Sequence, residues 1–410
     1  MKPTFPLQHR LARRAEALFP EVQRLRRDFH QHPELSNQEA RTGRVAGEYL
    51  AALGLTVTTG VAGHGVVADL VCPHPGPTLA YRADMDALPI QEKPGQPWCS
   101  RHPGVMHACG HDVHLAIALG AAKLLSEFKD SLAGRFRFIL QPAEEGLPPG
   151  TVGGAELMVQ QGVLADPPVA AIMALHVAPR LEVGRLGFCP DIVMAGAEQL
   201  RLEILGRQAH AATPHHGVDA IVVTAQALTL LQSVLSQGKD ARQPAVLTFG
   251  TIAGGSRFNI LADQVALEGT LRYHDLKVRE GVLGRVHRLL EGLCAGAGAR
   301  YRLESQSLYP ILVNDPDLTR VALDILRPLF GPQGLVQLRP VLGSEDFACY
   351  AQKIPGFYFF LGTRSPDGED QTLHSPDFDP DEQALTVGLT AAAALLTGLS
   401  REGAQAAAAK

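Results

Sequence analysis

The sequence predicts an α/β protein: a mixed-sheet domain with helices on both faces, plus an inserted β-α-β-β-α-β, ferredoxin-like segment. Three observations predict it. β-rich runs alternate with helical stretches through residues 1–186. Residues suited to metal or acid–base work stand just after several of those runs, where open α/β sheets place their chemistry. The stretch 187–307 then carries a strand and helix pattern of its own before the first pattern resumes over 308–410. A chain of 410 residues is long for one domain, which fits an outer domain with an insertion.

Composition narrows the function classes. With 46% hydrophobic and 19% charged residues, the chain reads as an ordinary soluble globular protein. A net charge of -5 without a long basic block argues against nucleic acid and against membrane surfaces as partners. The six cysteines, at 72, 99, 109, 189, 294 and 349, are too scattered for a disulfide framework. No apolar signal core follows Arg13 and Arg14. The uncharged run from Ala384 to Ser400 is broken by threonine and glycine and reads as a buried helix rather than a membrane span. The expectation is a cytoplasmic enzyme.

Residues up to about Phe29 read as an Arg-rich surface helix. His30 and His32 follow and are taken as structural. Ser36 with Glu39 three places on is a capping-box pattern, with Val45, Tyr49 and Leu53 as the apolar stripe of the helix it would start and Gly54 as its end. Three β-rich runs follow, over 55–59, 65–71 and 78–82. The third leads into Asp84 and Asp86, which suit either a catalytic strand end or a turn that caps backbone N–H groups.

The stretch around which the chain is organised comes next. His107, Cys109, His111, Asp112 and His114 crowd into eight positions, and the apolar run 115–125 behind them reads as a buried helix. Gly110 allows the tight turn that lets Cys109 and His111 converge. A polar surface loop with a free thiol is the plainer alternative. The run 135–140 alternates as a strand does and ends in Gln141-Pro142-Ala143-Glu144-Glu145-Gly146. Adjacent carboxylates there are costly without a nearby cation, and one can ligate a metal while the other stands over water. Another apolar run, 169–175, ends in His176, and a Pro-bounded turn holds His374. Cys109, His111, Glu145, His176 and His374 with one additional base suggest two metal ions sharing a water.

Within the insertion, strands are expected over 199–205, 245–252, 264–273 and 299–305, with helices over 217–237 and 276–297. The outer domain resumes with a helix near 317–330, Gly343-Ser344-Glu345-Asp346-Phe347, a strand over 357–361 and a C-terminal helix.

These motifs resemble the N-acyl-amino-acid amidohydrolases, which include hippurate hydrolases, bacterial aminoacylases and auxin-conjugate hydrolases, within the dinuclear metallocarboxypeptidase superfamily. His-x-Cys-Gly-His-Asp-x-His, Gln-Pro-Ala-Glu-Glu-Gly, the Leu-His after an apolar strand, Gly-Ser-Glu-Asp-Phe and the late His-Ser-Pro carry the likeness, from about Phe29 to the C-terminal helix. The resemblance implies Cys109, His111, Glu145, His176 and His374 as ligands of two divalent ions (zinc, manganese, cobalt or nickel). It implies Glu144 as general base and Asp86 as the group orienting a ligand histidine. It makes the insertion a lid and dimerisation domain, so that a homodimer is expected. His210 would polarise the scissile carbonyl in the neighbouring subunit's site, and Asn259 and Arg272 would hold the substrate near its carboxylate. The implied reaction is hydrolysis of an N-acyl amino acid. A dipeptidase or carboxypeptidase of the same superfamily is the alternative, and a non-catalytic binding homologue a weaker one. Gly206-Arg207-Gln208-Ala209-His210 and Leu261-Ala262-Asp263 depart from the family's usual wording there, which bears on substrate choice and lid motion rather than on the metals.

Overall fold

The computed structural model describes residues 7–93, 95–145 and 153–408. Packing divides the chain into a larger unit, Met1–Asp191, Val313–Arg339 and Cys349–Lys410, and a smaller one, Ile192–Leu312 and Pro340–Ala348. The segment 340–348, expected with the outer domain, groups with the smaller unit. Backbone bonds from Ala195 N to Gly343 O and from Val341 N to Val193 O draw it there.

The larger unit is built on an eight-stranded mixed sheet in the order Thr56–Val61, Gly65–Val71, Ala133–Gln141, His74–Asp84, Val169–Glu182, Gly356–Arg364, Leu186–Phe188, Leu335–Gln337. Its centre is parallel: Ala133–Gln141, His74–Asp84, Val169–Glu182 and Gly356–Arg364 run side by side in one direction. Gly356–Arg364 is buried along nearly its whole length, as a strand covered on both faces must be. Parallel neighbours put their carboxyl ends on one edge, which is why residues far apart in sequence can meet there. The strand over 169 extends further than expected, to Glu182, so His176 lies inside it, opposite Phe360. The pairing of this strand with His74–Asp84 reaches only Arg82 opposite Ala174, so His176 still lies beyond that paired region.

The helix Leu7–Gln31 is more than a surface helix. It buries Leu11, Ala15, Leu18, Val22 and Phe29 at helical spacing against a common core with His111–Phe128 and Ala384–Ala408. Its arginine Arg26 is also buried, 2.8 Å from Asp112. The helix Ala384–Ala408 contributes Leu385, Leu389, Leu395 and Leu396 to that core, which agrees with its reading as a buried helix.

The Ser36–Glu39 pattern does not cap its helix. That helix, Ala40–Ala52, begins with Glu39 making no side-chain cap. Glu34 caps it instead, accepting from Arg41 N (3.1 Å) and Thr42 N (2.8 Å).

The smaller unit has a four-stranded antiparallel sheet in the order Arg300–Tyr309, Gly196–Leu205, Gln264–Tyr273, Ala245–Gly254. Ala220–Gly238 and Leu276–Ala297 are its helices. Taken along the chain this is the split βαβ arrangement, with its own core around Leu200, Leu202, Leu231, Val286 and Leu290. Asp219 and Asp275 cap the two helices, accepting from Ile221 N and Lys277 N.

Candidate metal centre

Four segments of the larger unit bring the five expected ligands together. Cys109 and His111 flank Gly110, whose φ of 85° turns the chain into the helix His111–Phe128. Glu144 and Glu145 follow the strand Ala133–Gln141 after Ala143, itself at φ 52°. His176 comes from the strand Val169–Glu182, and His374, at φ 60°, from a turn whose N–H bonds Ala108 O at 2.9 Å. Cys109 Sγ lies 3.4 Å from His176 Nε2 and 3.3 Å from His374 Nε2. Glu145 Oε1 lies 3.2 Å from His374 Nε2 and 3.8 Å from His111 Nε2. Cys109, His111 and His176 present donor atoms within 4.8 Å of one another, as do Cys109, Glu145 and His374, and His111, Glu144 and Glu145.

Hydrogen bonds behind these residues select which nitrogen faces inward. His111 Nδ1 sits 2.9 Å from Asp86 O and 3.2 Å from Asp86 Oδ1, both acceptors, so Nδ1 holds a proton and Nε2 is the nitrogen left facing the cluster. His176 Nδ1 bonds Val177 O at 2.8 Å, which again leaves Nε2 for the cluster. Asp86 serves two elements at once, since its Oδ2 accepts from Glu145 N (2.9 Å) and from Ser36 Oγ (2.6 Å).

His114 belongs to a different layer. Val177 N–H donates to its Nε2 at 3.0 Å, so its Nδ1 bears the proton given to Asp84 Oδ1 at 2.6 Å. Both nitrogens are thereby committed, and Arg82 Nη1 holds Asp84 Oδ2 at 2.6 Å. Arg82 is fully buried and also donates to Gln141. His30 and Arg26 engage Asp112, which ties the helix Leu7–Gln31 to the ligand-bearing turn. Sequence reasoning had Asp84 and His114 in its clusters but not this brace; their spacing alone does not separate a ligand from its support.

The site suits cations. His111 Nε2 is buried without a hydrogen-bond partner among the described residues. Burial and the carboxylates of Glu145, Glu144 and Asp84 push the Cys109 thiol well above its ordinary value. Burial lowers His111, yet Asp84, Asp86 and Glu145 outweigh it and push its imidazole up to about 10. Soft thiolate, imidazole and carboxylate donors together form the set that borderline divalent metals accept.

In the smaller unit, His210 and Asn259 are neighbours: Ala211 N bonds Asn259 O at 3.0 Å, and His210 bridges Ile260. Ala212 N–H donates to His210 Nδ1 at 3.0 Å, so the neutral ring carries its proton on Nε2 and the exposed side chain can donate outward. Arg272 lies on the strand Gln264–Tyr273, and its Nη1 donates to Ser344 Oγ.

Comparison with known proteins settles the lineage. A family model described as peptidase family M20/M25/M40 matches residues 80–398. The chain belongs to this family. N-acetyl-L-cysteine deacetylase of Bacillus subtilis is 39% identical over 361 residues, 88% of this chain and 84% of that one. Thermostable carboxypeptidase 2 of Saccharolobus solfataricus is 36% identical over 381 residues, 92% and 95% of the two chains. The crystal structure of the Bacillus subtilis YXEP protein, described as a dinuclear metal-binding peptidase of family M20, superposes with a TM-score of 0.81 at 33% identity, over 94% of this chain and 99% of that one. This M20-family chain is thus a hydrolase whose carboxyl-end cluster offers donor groups for divalent metal ions.

Proposed function

We propose that this M20-family hydrolase cleaves the amide bond of N-acyl amino acids, hippurate-like or N-acetyl, releasing a carboxylic acid and a free amino acid. Cys109, His111, Glu145, His176 and His374 would hold two divalent ions, zinc, manganese, cobalt or nickel. The observation that carries the reading is the division between the paired carboxylates. Glu145 shares donor groups both with Cys109 and His374 and with His111, whereas Glu144 shares one with His111 and Glu145. In this reading Glu145 is the ligand and Glu144 serves proton transfer.

When bound, the divalent ions supply Lewis-acid polarisation of the scissile carbonyl and make water more acidic. The chain's own groups do the rest. A Glu144 carboxylate oxygen takes a proton from the attacking water, holds it, and gives it to the departing nitrogen. Asp86 keeps the His111 ring in the tautomer that presents Nε2. His210 Nε2–H, supplied by a second copy in a homodimer, donates to the carbonyl oxygen as charge builds on it. Asn259 and the Arg272 guanidinium hold the substrate's carboxylate, for which the planar fork of arginine is suited.

A carboxypeptidase reading draws support from the Saccharolobus relative. Initial rates on N-acetyl, N-benzoyl and N-succinyl amino acids, beside dipeptides, with Zn2+, Mn2+ or Co2+ added, separate the two. The proposal expects kcat/KM for at least one N-acyl amino acid to exceed that of every dipeptide. Faster turnover of dipeptides than of all acyl substrates would replace it with the peptidase reading.

A further inference from the structure

Glu39 is fully buried, yet its side chain does not cap its helix. Its Oε1 accepts from Ala143 N at 2.8 Å, and its Oε2 has no partner among the described residues. Ala143 is the residue before the paired carboxylates and is one of four non-glycine residues at positive φ among the described residues. An alanine held there is strained, because its Cβ crowds its own backbone. The carbonyl side of Ala143 is held as well, by Gly154 N at 3.2 Å. A side chain at Gly154 would not fit, since a Cβ there would stand 1.7 Å from Pro142 O.

We infer that Glu39 is a positioning residue for the paired carboxylates. Its buried Oε1 grips the Ala143 N–H and so maintains the left-handed turn from which Glu144 and Glu145 leave in different directions. The strain at Ala143 needs a counterforce, and a carboxyl oxygen in a dry environment is a strong acceptor. Ser36 works in parallel through Asp86, so the short segment 36–39 braces both the His111 and the Glu144–Glu145 sides of the centre. Burial and the neighbouring Asp86 carboxylate push the Glu39 carboxyl up to about 7, and glutamine therefore imitates its protonated form closely.

This inference rests on the metal-centre reading, and its test reads metal binding rather than turnover. Wild type, E39Q, E39M and E39M/A143G are titrated with Co2+, following affinity by calorimetry and coordination by visible absorption. E39Q keeps an acceptor for Ala143 N–H and is expected to bind Co2+ as wild type does. E39M fills the same space without a good acceptor and is expected to bind about 10–100-fold more weakly, with an altered spectrum. Adding A143G to E39M should restore much of the loss, because glycine adopts that backbone conformation without strain. Wild-type affinity and spectrum in E39M would overturn the assignment, and so would a defect in E39Q equal to that of E39M. If wild type binds Co2+ but turns over no N-acyl amino acid, the substrate reading fails while the role of Glu39 stands.

Discussion

Glu144 and Glu145 are adjacent in sequence but have different surroundings. Glu145 lies 3.2 Å from His374 and groups with Cys109 as well as with His111, while Glu144 groups with His111 and Glu145. Replacing Glu144 with glutamine preserves size and removes the proton acceptor. We expect kcat to fall by about 10²–10⁴-fold, the range of a lost general base, with the bound metal per chain unchanged by elemental analysis. Metal loss in step with activity would instead make Glu144 a ligand. At this scale the residues that cluster as candidate metal ligands were legible, because cysteine, histidine and paired carboxylates after strands have few other reasons to recur together. The supporting residues were not. His114 has the spacing of a ligand, but only the Val177 N–H and the Asp84 carboxylate, distant in sequence, reveal that both its nitrogens are occupied.

Strands and helices were legible wherever hydrophobic period and length agreed. The helix Leu276–Ala297 and the strand Gln264–Tyr273 fall where the pattern put them. Junctions were less so. Ser36 and Glu39 match a capping box, yet each has a stronger partner elsewhere: Asp86 for one, Ala143 N for the other. Glu34 caps the helix from outside the pattern. The start of His111–Phe128 depends on Gly110, where φ is 85° and an added Cβ would meet Val177 Cγ2 at 2.6 Å. Gly110→Ala therefore combines backbone strain of about 1–2 kcal/mol with overpacking of about 1–3 kcal/mol. Thermal unfolding followed by circular dichroism should show a melting temperature several degrees lower. An unchanged value would mean that the turn relaxes freely and that its geometry is not enforced by packing against Val177.

At the scale of the whole molecule, a buried carboxylate held by arginines away from the candidate metal centre should make stability depend on pH. Asp69, on the strand Gly65–Val71, accepts from Arg137 Nε and Nη2 and from Arg135 Nη1, each at 2.8 Å. Burial pushes its carboxyl upward, but the two guanidinium groups outweigh that and hold it below its ordinary value. A depressed folded pKa means that this contribution is complete above the unfolded carboxylate range, about 4, and is lost as pH falls through the folded value. Asp69→Asn should therefore lower stability at neutral pH, and the gap from wild type should narrow as pH drops below about 4. Denaturant unfolding across that range checks it. A gap independent of pH would show that the Asp69 charge contributes nothing.

The sequence by itself determined the α/β class, the order of the longer elements and the chemical character of the candidate site, because these follow from local hydrophobic period and from residue types that need a cation beside them. Only the tertiary structure decided which nitrogen of each histidine faces inward, which carboxylate is tied to Cys109 and His374, and which buried groups brace them. Those outcomes depend on partners up to 265 residues away, such as Cys109 beside His374. Parallel strands ending on a common edge create such contacts, and no local pattern encodes them.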